Sequence, residues 1–179
     1  MSKRRAEIAV LCEDLQSHMF FKYLLRAYGR RYYVRNDYPA GRGCGFQYIQ
    51  ENYADMVAAR RRAPGSRALL VHMDADEKRV SDRLQTLAAA LEQAGAAPRG
   101  KDEPVALIVP KRCIEAWIWY LRGEKAGEEE ADWPSLRRPS KCKPESRRLA
   151  DMLRQHQQWP ADAPDSLNQA RPEFARVLP

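Results

Sequence analysis

Two aspartates one residue apart, Asp74 and Asp76, close the short apolar run Ala68-Leu69-Leu70-Val71. A run of that kind reads as a strand buried on both faces of a sheet. Asp has poor strand propensity, and neighbouring carboxylates repel unless something positive lies between them. At the carboxyl end of a parallel strand, where such sheets bind ligands, two Asp can hold magnesium or manganese, because hard oxygen ligands suit those ions. Taken alone, the pair fits a solvated strand exit equally well. Glu77 reads as a loop acid that can reach a second ion. A second acidic pair, Glu13-Asp14, follows another apolar stretch, Ile8 to Cys12.

These acids need elements to position them. Residues 6–12 read as a first strand, and Leu15, Met19, Phe20, Tyr23, Leu24 and Ala27 recur at helical spacing up to Gly29, a natural helix stop. Residues 32–38 read as a second strand, followed by a loop with three glycines over 39–45. Phe46, Ile49, Tyr53, Met56 and Val57 mark a second helix ending in Arg60-Arg61-Arg62, where positive charge suits the helix dipole. The third strand is the one that ends in Asp74 and Asp76. Ser81 is the expected cap of a third helix through Leu84, Leu87, Ala88 and Leu91, stopped by Gly95. Residues 105–109 read as a fourth strand, and 111–121 as a short apolar helix carrying one acid, Glu115.

Strands alternating with helices predict an α/β protein: a Rossmann-like four-stranded parallel sheet with helices on both faces. Residues 1–122 form this domain. Residues 123–179 are expected to add a charged, proline-bearing loop and a short helical C-terminal tail, packed on the same sheet. In that tail one helix is expected over 145–157 and a last one over 167–177, interrupted at Pro172.

On such a sheet Glu13, Asp74 and Asp76 all lie at the carboxyl edge, on strands expected to be near neighbours. Three converging carboxylates make sense with bound cations. The chemistry that follows is metal-assisted phosphoryl transfer or phosphodiester hydrolysis. Glu13 is then a metal ligand or the general base for the attacking water. Lys111 and Arg112, just after the fourth strand, can meet the scissile phosphate. Glu115 either reaches the metal edge or pairs with Arg112 or Arg122. Arg42 in the glycine loop can receive a phosphate, and Lys141 and Lys143 can track a nucleic-acid backbone. His18, His72 and His156 lack metal-ligand spacing, and His72 is expected in the core or behind the ligands. Trp117 and Trp119 read as core.

The pattern resembles the Toprim family, whose domain has a Glu after its first strand and an Asp-x-Asp pair after its third. Leu11-Cys12-Glu13 and Met73-Asp74-Ala75-Asp76 carry the likeness, which spans about residues 6–122. Small stand-alone Toprim-like proteins, related to the overcoming-lysogenization-defect family nucleases, are the most similar group. Their Glu-bearing helix after the fourth strand is similar to Ile114-Glu115-Ala116-Trp117. Their basic, proline-containing segment is similar to Lys141-Cys142-Lys143-Pro144, and their Glu-Phe tail to Glu173-Phe174. The family has Gly after its first Glu, where this chain has Asp14, here an expected extra ligand. Ser17 stands where relatives often carry another acid.

The resemblance implies a magnesium- or manganese-dependent nuclease acting on DNA or RNA, associated with phage defence or mobile elements. A separate ATPase partner and a homodimer are compatible with it. The alternative is a catalytically weak subunit that binds nucleic acid or senses a partner.

Bulk composition agrees with a nucleic-acid partner without requiring one. Lys and Arg number 31 against 24 Asp and Glu, a net charge of +7 over 179 residues. No apolar run approaches the ~20 residues needed to cross a bilayer, so a cytoplasmic protein is expected. Cys12, Cys44, Cys113 and Cys142 lie too far apart for a zinc knuckle and read as reduced thiols.

Overall fold

The computed structural model describes residues 7–29, 31–34, 45–63, 67–124, 127–128, 133–155 and 159–178, with backbone alone at 31–34 and 67. Strand β1 (Glu7–Leu11) leads through helix α1 (Leu15–Tyr28) to β2 (Arg31–Val34). Helix α2 (Gly45–Arg61) leads to β3 (Arg67–His72), and α3 (Val80–Gln93) to β4 (Val105–Ile108). Helix α4 (Ile114–Arg122), a 3-10 turn at Pro139–Cys142, α5 (Lys143–Arg154) and α6 (Asp165–Val177) complete the chain. The sheet is parallel throughout, in the order β2-β1-β3-β4.

Side-chain alternation along the strands divides the core in two. Ile8, Val10, Ala68, Leu70, Ala106 and Ile108 face a layer built from α1, α4, α5 and α6, with Phe20, Phe21, Trp117, Leu149 and Phe174 at its centre. Leu11, Leu69, Val71, Val105 and Leu107 face α2 and α3 through Ile49, Tyr53, Val57, Leu87 and Leu91. The tail therefore belongs to the first core. Trp117 is fully buried and donates from Nε1 to Ser166 Oγ at 2.9 Å, whereas Trp119 is half-buried under the Arg122 guanidinium.

The order has a direct consequence. From β1 the chain turns outward to β2, and from β3 it turns the other way to β4. The connections that leave the two central strands thus diverge at the carboxyl ends, the place where doubly wound sheets leave a crevice.

The outer edge of β4 is closed by side chains rather than by another strand. Arg99 Nη1 donates to Val105 O at 2.9 Å, and Leu107 N donates to Glu173 Oε2 at 2.8 Å. Arg99 and Glu173 also pair with each other. Unpaired edge groups invite association with another chain, and this pair blocks them.

Several local expectations are corrected. Helix α3 starts at Val80 with Arg79 as its cap, and the side chain that closes the turn is that of Asp82, not Ser81. Helix α4 starts at Ile114, three residues later than the apolar pattern implied, which leaves Lys111 and Arg112 in the preceding loop. Helix α5 covers Lys143–Arg154. Helix α6 runs unbroken through Pro172, because Leu167, Ala170, Phe174 and Val177 bury one face on both sides of it. β2 is described over Arg31–Val34; the rest of the expected strand lies outside the described residues, as do Cys44 and the glycine loop before Gly45, with Arg42.

Candidate functional site

Glu13 stands two residues beyond β1, in the crevice between β1 and β3. Its Oε1 accepts the backbone N–H of Asp74 at 3.3 Å, across 61 residues of sequence. Helix α2 begins directly against it: a Cβ on Gly45 would lie 2.8 Å from Glu13 Cβ and 3.2 Å from Oε2. Only glycine lets the amino end of α2 approach so closely, and that end favours a negative charge. Even so, the Glu13 carboxyl is pushed up to about 8. Burial is the main cause and Asp74 the next, with His72 and the Asp74 amide acting in the opposite direction.

Asp74 lies two residues past the end of β3 with its side chain 14% exposed. Burial holds its proton affinity well above the carboxylate range, and Glu115, Asp14 and Asp76 raise it further. The nearby N–H of Ile114, at the start of α4, opposes the rise. Asp74 Oδ1 has no hydrogen-bond partner among the described residues. His72 Nε2 is 3.3 Å away from it but is not aligned as a donor. His72 is fully buried against Phe21, and burial lowers its proton affinity, so the ring is neutral at pH 7.

Asp14 caps α1. Its backbone is extended (φ −149°), and its Oδ1 accepts the Ser17 N–H at 2.8 Å. An Asp at that position therefore has a clear local reason: an N-cap carboxylate satisfies a helix donor, and no left-handed backbone calls for Gly. Asp14 still lies near enough to raise the proton affinities of Asp74 and Glu115. Glu115, in the first turn of α4, is itself raised by burial and steadied by its own amide and the Cys113 thiol. Neither suggested ion-pair partner is taken by Glu115: Arg122 pairs with Glu145 at 2.9 Å, and Arg112 donates to Asp76 O at 3.3 Å.

Asp76 is placed differently. Its backbone is left-handed (φ 55°) and held on both sides by the β4–α4 loop, with its N–H bonded to Arg112 O at 3.0 Å. Its side chain turns away from Glu13 to Arg83, Oδ2 to Nη2 at 2.6 Å. Arg83 is buried and stacks over Phe46 at 4.0 Å.

Glu13 and His72 thus each lie against Asp74, Asp14 and Glu115 are near enough to influence these groups, and Asp76 sits at the rim beside Arg112. Lys111 is half-buried on the same loop. Lys141 is exposed on the 3-10 turn, which Gln16 Nε2 ties to the first turn of α1 through Pro139 O at 3.4 Å. Lys143, the first residue of α5, lies 5.9 Å over the ring of Tyr23 on α1.

Among the described residues, no three His, Cys, Asp or Glu side chains stand together as a ready metal cage. Magnesium does not require one, since it is held by one or two carboxylates plus water and phosphate oxygens. Glu13 and Asp74 fit that requirement: two hard-oxygen donors, mutually repelling, one with an unpartnered buried oxygen.

Gly45 and Arg83 were not visible as site residues in the sequence. Gly45 is one of three glycines in the 39–45 loop, and Arg83 belongs to no motif. His72 was legible only as a residue behind the ligands. Comparison with protein-family models, curated proteins and solved structures finds no match. No described helix is long and apolar enough to cross a membrane.

Proposed function

We propose that the protein is a divalent-metal-dependent nuclease that hydrolyses phosphodiesters of DNA or RNA, on a core of Toprim type. The observation that carries this reading is the meeting of Glu13 and Asp74. They come from the two central strands at the point where the sheet's connections diverge, and both carboxyls hold their protons abnormally tightly. A protein gains nothing in stability from such an arrangement, and a bound cation reverses its cost.

Glu13 and Asp74 would hold magnesium or manganese, with Asp14 and Asp76 within reach as further ligands. The ion supplies charge neutralisation at the phosphate and activation of a water molecule. Glu13 would serve either as that ligand or, standing off the ion, as the general base for the attacking water. The Ile114 N–H favours the ionised Asp74 carboxylate, and neutral His72 lies 3.3 Å from it without adding charge. Glu115 adds negative potential from α4. Lys111 and Arg112 offset charge that develops on the phosphate. Lys141 and Lys143, and Arg42 outside the described residues, would bind the nucleic-acid backbone.

The test is cleavage of single-stranded DNA, duplex DNA and RNA in magnesium, manganese or EDTA. Activity that needs the ion and is lost in folded Asp74→Asn and Glu13→Gln supports the reading. The engagement of Asp76 by Arg83 favours a second reading, a catalytically weak nucleic-acid-binding subunit. Salt-sensitive binding with no cleavage of any substrate would select it.

A further inference from the structure

From the contacts of Arg83 we infer that it is a latch, making the recruitment of Asp76 to the ion site conditional on a phosphate. The inference rests on the acidic cluster being a divalent-ion site.

Arg83 is an unusual residue to find in the first turns of a surface helix. Its side chain is 7% exposed, whereas that of its partner Asp76 is 60% exposed. The carboxylate therefore covers the guanidinium from the solvent side, at 2.6 Å. Phe46, at the amino end of α2, covers it at 4.0 Å. No second carboxylate pairs with it among the described residues. A buried guanidinium with one counter-ion cannot lose that counter-ion without a replacement, because an uncompensated buried charge is strongly unfavourable.

The Asp76 backbone is fixed by Arg112 through both its N–H and its C=O. Only the side chain is free to turn, and it faces two destinations: Arg83, or the acidic cluster that begins at Asp74, two residues earlier in the same turn. An ion held by Glu13 and Asp74 attracts the Asp76 carboxylate, and Arg83 opposes the move. A phosphate entering at the rim resolves the conflict. It takes the place of Asp76 on the guanidinium, where a planar donor suits phosphate oxygens, and Asp76 completes the ion's ligands. Ion and phosphate then strengthen each other's binding by the same factor.

Manganese affinity, read as free Mn2+ by electron paramagnetic resonance, tests this with and without a thymidine dinucleotide as the phosphodiester probe. Wild-type protein should bind Mn2+ about tenfold more tightly with the dinucleotide, a coupling of about 1.4 kcal/mol. Arg83→Met keeps an apolar stem on Phe46 and should bind Mn2+ about tenfold more tightly without the dinucleotide and gain little from it. In an Asp76→Asn background the gain from Arg83→Met should vanish. A gain that persists there reflects mere removal of a positive charge and overturns the latch. So does wild-type binding that ignores the dinucleotide, a measurement that needs no variant to fold. Absence of any Mn2+ binding sensitive to Asp74→Asn instead overturns the ion site itself.

Discussion

Glu13→Gln is expected to stabilise the ion-free protein, and to do so increasingly as the pH rises. The Glu13 carboxyl is raised from 4.5 to about 8, by burial first and then by Asp74. Across that window the folded state keeps the proton and the unfolded chain releases it. The unfolded state therefore binds fewer protons, and stability falls as the pH climbs from the lower value towards the upper one. Each tenfold change in proton affinity is about 1.4 kcal/mol, which sets a ceiling of about 5 kcal/mol for the whole rise. Water in the crevice and relaxation around a half-buried group reduce the expected effect to about 2 kcal/mol. Gln keeps the acceptor for the Asp74 N–H and adds an amide that can donate to the Asp74 carboxylate. Urea unfolding in EDTA, run on both proteins at about pH 4.5 and about pH 8.5, reads the difference. The gap between variant and wild type should widen by about 2 kcal/mol in favour of the variant at the higher pH. Parallel stabilities at the two pH values, or a variant that weakens as the pH rises, would refute the reasoning.

Other expectations follow from the same contacts. Gly45→Ala forces a Cβ to within 2.8 Å of Glu13 Cβ, so it should cost about 1–3 kcal/mol in thermal or urea unfolding and weaken ion binding together. Asp14→Ala removes the α1 cap and should cost about 1 kcal/mol, measured by denaturation in EDTA. Glu173→Ala strips the Leu107 N–H and Arg99 of their acceptor, and should cost about 2–3 kcal/mol and promote concentration-dependent association detectable by light scattering. If the basic tail tracks a nucleic acid, the double variant Lys141→Ala, Lys143→Ala should lower affinity evenly across sequences and reduce the salt slope by about 2.

The sheet was legible because its strands are short apolar runs and its helices carry regular stripes. Ile8 to Leu11 and Ala68 to Val71 announced themselves by burial pattern, and the alternation of elements implied parallel pairing. The convergence of Glu13 with Asp74 followed from that topology. The finer placement did not. Helix starts depend on single capping bonds, so Asp82 rather than Ser81 closed α3, and α4 waited until Ile114. Asp14 stood out as a departure from a family pattern, yet its role as a cap depends on its own φ and on the Ser17 N–H. The turn of Asp76 towards Arg83 depends on a left-handed residue and a buried stack on Phe46, contacts that no spacing in the sequence encodes. The Glu173 seal on β4 was equally hidden, because it joins residues 66 positions apart.

Calorimetric titration of Mg2+ or Mn2+ tests the central claim most directly. The account predicts one saturable site in the wild-type protein. Binding should release protons and weaken at least about tenfold for each pH unit below about 8, because the Glu13 and Asp74 carboxyls must both ionise to bind. Folded Asp74→Asn should lose at least about 100-fold in affinity. Equal binding by wild type and Asp74→Asn, or no saturable binding at about pH 8, would contradict the account.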